Sequence, residues 1–209
     1  MEINPEILQY VSQHILPKYE HFDKAHNTAH ADKVIQNSLK IAADYDVDID
    51  KVYVIAAYHD TGLIHGRGDH EKHSAKLLLA DLTLLSWFSA DELTLMAEAI
   101  EDHRASSDNE PRSIYGKIVS EADRDIEYMT ILARIVQFSL ENYKDFTVEQ
   151  HYARTYEHMQ EKYGENGYLK LWLDTEDNRN NLIKLREVLR DEKRFRADFY
   201  EVFERCGFE

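Results

Sequence analysis

The sequence is poor in glycine, proline and cysteine, and each shortage excludes a class of protein. Only 7 glycines and 3 prolines occur in 209 residues, too few for the frequent tight turns of a β-sandwich or β-barrel. The single cysteine, Cys206, cannot form an internal disulfide and fits a reducing compartment. Most segments instead repeat their apolar residues at helical spacing. We therefore expect an all-α fold in a cytoplasmic protein.

Positive charge and long apolar runs are also scarce. The chain has 25 Lys and Arg against 40 Asp and Glu, a formal net charge of −15, which disfavours a large nucleic-acid surface or an anionic membrane partner. No stretch approaches the roughly 20 apolar residues of a membrane span, and we expect no signal peptide. A small anionic substrate remains compatible with this charge if a bound metal reverses the local field. A homo-oligomer is left open.

One histidine–aspartate pair stands where an apolar helix is expected to end. Residues 52–57 are apolar, and His59 continues their inward face. Gly62 follows as a helix stop. Burying His59 and Asp60 together is costly unless something binds them. Because imidazole nitrogen and carboxylate oxygen are common metal ligands, the pair indicates a divalent cation.

Four other segments each place a ligand-type side chain on an inward face or at a helix end. Alone, each would fit an ordinary core or surface residue, and an aspartate such as Asp123 could pair with Arg124 or Arg134. Several such residues in one compact helical domain favour a metal site. The four are His30, His70, His103 and Asp123.

Helix starts and a domain boundary are also predicted from local patterns. Asn27 or Thr28 is expected to begin the helix of His30, Asp50 the helix that ends at His59, and Asp69 the next. A single long helix is predicted from Ser113, with Asp123 on its apolar stripe. We expect residues 1–136 to form one metal-binding helical domain and residues 137–209 a C-terminal helical extension packed on it.

The ordered pattern of His30, His59-Asp60 and Asp123 resembles the H…HD…D signature of the HD-domain superfamily of metal-dependent phosphohydrolases. The flanking sequence agrees, with an apolar run directly before the pair and Ala-Asp-Arg at residues 122–124. The resemblance covers residues 20–135. It implies an all-helical HD-domain bundle in which these four residues coordinate one divalent cation.

Some branches of the superfamily carry two further histidines that hold a second metal. His70 and His103 fill those positions, with His73 as a competing choice for His70. One divalent cation is therefore expected and a second is left open, with Mn, Fe, Co, Ni, Zn and Mg all compatible with the ligands. The Gly-Tyr-Pro tripeptide of the cyclic-di-GMP phosphodiesterase branch is absent from the sequence, so that substrate is not implied.

The implied chemistry is hydrolysis of a nucleotide or a related small phosphorylated metabolite, as a phosphomonoester, phosphodiester or pyrophosphate. Asp60 is expected to orient or deprotonate a water activated by the metal. Arg67 and Arg104 are expected to balance charge on the phosphoryl oxygens, with Lys72 and Arg124 as further candidates. Two alternatives stay open: a di-iron oxygenase of the same superfamily, and a non-catalytic nucleotide-binding sensor.

Overall fold

A computed structural model describes residues 2–22, 26–104, 109–124 and 126–207. Over these residues the chain forms ten α-helices and no β-strand, so the all-α prediction is confirmed. None of these helices combines the length and apolarity that crossing a bilayer requires. Short 3₁₀ helices cover Leu16–His21, Thr61–His65 and Leu82–Ser86. The α-helices are α1 (Pro5–His14), α2 (Thr28–Ala42), α3 (Ile49–Tyr58), α4 (His70–Ala80), α5 (Ala90–Glu101), α6 (Ile114–Ala122), α7 (Tyr128–Asn142), α8 (Val148–Tyr163), α9 (Glu176–Arg190) and α10 (Glu192–Gly207).

The chain divides into two compact units, Met1–Arg124 with α1 to α6 and Asp125–Glu209 with α7 to α10. The division falls before α7, whereas the sequence places the boundary after residue 136. The apolar face of α7 explains the difference, because Ile131 and Leu132 are buried in the core of the C-terminal unit. The role of the C-terminal helices as an extension packed on the metal-binding domain stays a prediction.

Helix α3 lies at the centre of the N-terminal unit. All of its residues from Val52 to Tyr58 are buried, and α1, α2, α4, α5 and α6 all contact it. Its N-cap is Asp48, whose carboxylate accepts hydrogen bonds from the Asp50 and Lys51 amides. The prediction of Asp50 as the cap is therefore wrong. The helix begins one residue after Asp48, and the Asp50 carboxylate instead accepts a hydrogen bond from the Asn4 amide (2.8 Å).

The single long helix predicted from Ser113 is wrong, because the structure has two helices there. Ser113 does cap α6, with its hydroxyl accepting from the Gly116 amide (3.2 Å). However, α6 ends at Ala122 and Asp123 is its C-cap. The Glu127 carboxylate then starts α7 by accepting from the amides of its first turn. The interruption leaves Asp123 at a helix end.

Helix α4 lies against the turn that follows α3, and this packing depends on Gly62. The amide of Gly62 donates to Ser74 Oγ (2.8 Å). A Cβ atom on Gly62 would lie 2.2 Å from the His70 carbonyl oxygen and 2.5 Å from the Ser74 amide nitrogen. A larger residue therefore cannot fit unless α4 moves. Asp69 precedes α4 as the sequence predicts, and its carboxylate binds Lys72 Nζ (2.8 Å).

We expect Gly62→Ala to lower the free energy of unfolding by about 2 kcal/mol, because the added methyl group overlaps the backbone of α4. Gly68→Ala is the matched control, since no described atom lies within 4 Å of a Cβ at that position. Its effect should stay within about 0.5 kcal/mol. Urea unfolding followed by circular dichroism measures both variants. Equal stability of the two would contradict the close packing of α4 on the turn.

Candidate metal centre

The His59–Asp60 pair lies at the end of α3, where the sequence predicts it. His59 is the C-cap of the helix and Asp60 is the next residue. The two residues are only 0% and 3% exposed. Because the helix stops here, two adjacent side chains can turn towards the same region. Adjacent residues within a continuing helix would diverge by about 100°.

Four ligand-type side chains converge at this point. His30 lies in the first turn of α2, where Asn27 accepts a hydrogen bond from its amide (3.1 Å). His30 Nε2 is 3.2 Å from His59 Nε2, 3.5 Å from Asp60 Oδ2 and 3.3 Å from Asp123 Oδ1. His59 Nε2 is 3.3 Å from Asp60 Oδ2 and 3.9 Å from Asp123 Oδ1. Ligands about 2.1 Å from one cation lie roughly 3 to 4 Å from each other, so these spacings fit a shared ion.

A second group forms on the other oxygen of the same carboxylate. Asp60 Oδ1 is 3.3 Å from His70 Nε2 and 3.5 Å from His103 Nε2. His73, the alternative to His70, instead has its ring against that of His65, with centroids 5.1 Å apart. Asp60 thus faces one group with each oxygen. Asp60 would therefore contribute a ligand atom to each group if both held a metal ion.

Three of the four histidines are oriented in the same way by the backbone. In each, Nδ1 bonds the carbonyl oxygen of the residue three positions earlier. Because a carbonyl only accepts, Nδ1 must carry the hydrogen, and Nε2 of the neutral ring then presents a lone pair. Partners of this kind fix the tautomer of histidines in metal sites. The pairs are His59 with Ala56 (2.7 Å), His70 with Arg67 (3.1 Å) and His103 with Ile100 (2.6 Å).

This orientation tests whether the residues suit a metal. The Nε2 lone pairs of His59, His70 and His103 face the carboxylate oxygens of Asp60 at 3.3 to 3.5 Å. Two acceptors at this distance repel each other unless a positive charge lies between them. A divalent cation in each group would supply that charge in place of protons on Nε2, and mixed imidazole and carboxylate ligands suit such ions. The residues fit.

Protons compete with a metal for the same atoms. Burial would lower the pKa of His30, but its hydrogen bonds with Asp123 and Asp60 outweigh burial and raise that pKa to about 9. Burial would also lower the pKa of His103, but the hydrogen bond with Asp60 outweighs burial and raises that pKa. Burial would raise the pKa values of both carboxyl groups, but their neighbours lower them. The charge of His59 is the main cause that lowers the pKa of Asp60, and the hydrogen bond with His30 is the main cause at Asp123. The carboxylates therefore stay ionised at neutral pH.

Glu71 is a buried acid near the second group that the sequence did not single out. Its residue is only 8% exposed. Its Oε2 atom is 3.4 Å from Arg104 Nη1 and 3.5 Å from His70 Nδ1. Glu71 thereby connects Arg104, an exposed cation, to the second group. The position of Glu71 directly after His70 is the feature of the sequence that could have indicated this contact. However, an acidic residue on a helix is more often a solvated side chain.

The other cations considered from the sequence occupy different environments. Arg67 is exposed, and its carbonyl oxygen is the one that bonds His70. Lys72 is exposed and bonds Asp69 (2.8 Å). Arg124 is buried, with Nη1 3.4 Å from a Glu121 carboxylate oxygen. Arg67 and Arg104 are thus the two exposed arginines next to residues of the second group.

Fold and site together define an all-helical protein with a histidine–aspartate cluster of the type that holds divalent cations. The family model of the HD domain matches residues 28–126, a span that contains all six candidate ligands. Residues 28–126 are therefore an HD domain.

The solved structure of a predicted HD superfamily hydrolase from an uncultured Thermotogales bacterium is similar to this chain, with 23% identity and a TM-score of 0.50. The similarity covers 93% of this chain and 91% of that one, and it shows a shared fold. No curated protein matches the chain.

We expect metal affinity to rise with pH between 7 and 9. His30, with its pKa of about 9, is mostly protonated below that value, so a metal must displace its proton. The apparent affinity should then increase about tenfold per pH unit for each proton displaced. Titration calorimetry with Mn²⁺ in buffers of different ionisation enthalpy measures both the affinity and the proton release. An affinity that is constant from pH 7 to pH 9, with no proton released, would show that His30 is not a ligand.

Proposed function

We propose that this protein is a metal-dependent phosphohydrolase that acts on a nucleotide or a related small phosphorylated metabolite. The observation that carries the proposal is the convergence of His30, His59, Asp60 and Asp123 at ligand spacing. A buried cluster of this composition has a high energetic cost unless it binds a cation. Its match to the HD-domain family supports hydrolysis as the use of that cation.

The ligand roles follow from the two groups around Asp60. His30, His59, Asp60 and Asp123 would hold one divalent cation. His70 and His103, with the other Asp60 oxygen, would hold a second. When bound, such ions supply Lewis-acid activation of water and of a phosphoryl group.

Asp60 is better suited to hold a cation and to orient a water molecule than to take up a proton. Despite burial, the surrounding histidines keep its pKa well below the usual range. A general base works best when its pKa lies near the working pH. We therefore assign Asp60 to ligation and to orienting the attacking water. Proton uptake at Asp60 itself is disfavoured by its environment.

Arg104 and Arg67 are the proposed phosphate-binding residues. Glu71 holds the Arg104 guanidinium beside His70 (3.4 Å to Arg104 Nη1, 3.5 Å to His70 Nδ1). Arg67 precedes His70 by three residues and bonds its ring through the backbone (3.1 Å). Guanidinium groups bind the non-bridging oxygens of phosphate in a bidentate manner and stabilise the charge that develops on them. In a chain of net charge −15, such local cations are what an anionic substrate requires.

The shared carboxylate also favours a second candidate, a di-iron oxygenase. Asp60 presents one oxygen to each group, which suits two bridged iron ions as well as two ions of a hydrolase. A protein that contains two irons per chain and consumes oxygen when a polyol or a phosphonate is added would have that activity. The cytoplasmic location expected from the single cysteine stays a prediction, as does a homo-oligomer.

The direct test is hydrolysis of a panel of nucleoside mono-, di- and triphosphates and cyclic nucleotides, with the nucleoside and nucleotide products separated by chromatography. Protein stripped by a chelator should be inactive, and Mn²⁺ should restore activity. His59→Ala should abolish both metal binding and turnover, because it removes a central ligand. Arg104→Ala should keep its metal and raise KM about tenfold or more, because it removes a charged phosphate contact.

His73→Ala is the matched control, since His73 is a histidine of α4 whose ring contacts His65. It should retain the metal content and turnover of the unaltered chain. Persistence of activity and metal in His59→Ala would refute the assignment. A fully metal-loaded protein that cleaves none of these phosphates would refute the hydrolase proposal, and oxygen uptake by the same sample would favour the oxygenase.

A further inference from the structure

Tyr19 is a buried phenol that bonds the same turn as the proposed ligands. It lies in the 3₁₀ helix Leu16–His21, outside the residues matched by the HD-domain family. Its side chain is among the largest that are fully buried, with 0% exposed. The Tyr19 hydroxyl donates to the Ala57 carbonyl oxygen (3.0 Å) and accepts from the Asp60 amide (3.2 Å).

These two bonds satisfy backbone groups that the end of α3 would otherwise leave without partners. The last carbonyls of a helix have no partner within it, and Ala57 lies in the last turn of α3. An unsatisfied buried backbone group costs about 1 to 3 kcal/mol. A hydroxyl can donate and accept at once, so one phenol serves both Ala57 and Asp60. A phenylalanine would fill the same space but could form neither hydrogen bond.

The bond to the Asp60 amide bears directly on where its carboxylate lies. Asp60 has φ −110° and ψ 4°, and its amide orients the peptide that joins it to His59. The following residues have their own anchors: Thr61 Oγ1 donates to the Tyr58 carbonyl (2.8 Å), and the Gly62 amide donates to Ser74 Oγ (2.8 Å). Tyr19 is therefore the anchor for Asp60 itself. A shift of this one residue would move both carboxylate oxygens, and hence both ligand groups.

The phenol keeps its proton in this environment. Burial raises the pKa of Tyr19 well above its usual value, and the nearby charge of Asp60 raises it further. The hydroxyl is thus available as a donor to Ala57 at neutral pH.

We infer that Tyr19 is a positioning residue for the metal centre, contributed by the N-terminal segment. Its hydroxyl fixes the position of the Asp60 carboxylate through the Asp60 backbone amide. The inference rests on the proposed function, because it assigns Tyr19 a role in metal binding. It extends the site beyond the HD-domain signature to a residue 41 positions before Asp60. Tyr19 acts through Asp60 and is not assigned any contact with substrate.

The test is Tyr19→Phe, which removes only the hydroxyl. Titration calorimetry with Mn²⁺ at one fixed pH should show an affinity lower by about 10- to 100-fold, as for other partners that orient ligands. The visible d–d absorption of bound Co²⁺ should also change, because it reports the coordination geometry. Both readouts are independent of turnover.

Tyr58→Phe is the matched control. It also removes a hydroxyl from a buried tyrosine of the same unit. However, that hydroxyl donates to Asp81 (2.6 Å) and not to the turn that carries His59 and Asp60. Urea unfolding should show a comparable loss of stability in the two variants. The Mn²⁺ affinity and the Co²⁺ spectrum of Tyr58→Phe should match those of the unaltered chain.

The outcomes separate this inference from the proposed function. If the unaltered chain binds Mn²⁺ and Tyr19→Phe binds it equally, with the same Co²⁺ spectrum, the role of Tyr19 is overturned and the metal centre stands. Failure of Tyr19→Phe to fold would overturn it too, because the hydroxyl would then support the whole fold. If the unaltered chain binds no metal, both proposals fall.

Discussion

The structure depends on one electrostatic constraint, a buried carboxylate faced by four imidazole rings. The Nε2 atoms of His30 and His59 lie near one oxygen of Asp60, and those of His70 and His103 lie near the other. Backbone carbonyls already hold the Nδ1 hydrogens of three of these rings. Neutral rings in this orientation would point Nε2 lone pairs at the carboxylate, and a divalent cation between them would balance the charge without burying extra protonated histidines.

The helical framework is arranged to meet this constraint. Residues 52–58 of α3 are all buried and the helix ends at His59, so the turn that carries His59 and Asp60 lies inside the N-terminal unit. The start of α2 and the end of α6 bring His30 and Asp123 to the same place. Side chains at helix ends can converge on one point because the chain changes direction there. The close contact at Gly62 then brings α4, and with it His70, against the other side of Asp60.

Local features of this protein could be predicted from the sequence, and contacts distant along the chain could not. The start of α2 at Asn27 and the end of α3 at the His59–Asp60 pair follow from patterns within a few residues, and both are as predicted. The break between α6 and α7 was missed because the apolar spacing continues across it, while capping by Glu127 decides it.

Bonds between distant segments gave no local signal. Glu71 and Arg104 are 33 residues apart, and Tyr19 and Asp60 are 41 apart. Each pair meets only through tertiary packing. The six candidate ligands could be proposed because they lie on inward faces or at helix ends and because their order resembles a known signature. Tyr19 and Glu71 belong to no such pattern.

The most direct test of the central claim is anomalous diffraction from crystals grown with Mn²⁺. The account predicts an anomalous peak within coordination distance of His30 Nε2, His59 Nε2, Asp60 and Asp123. A second peak is expected between the other Asp60 oxygen, His70 and His103. An ion that binds elsewhere, or a fully occupied ion that does not contact Asp60, would contradict the proposed metal centre.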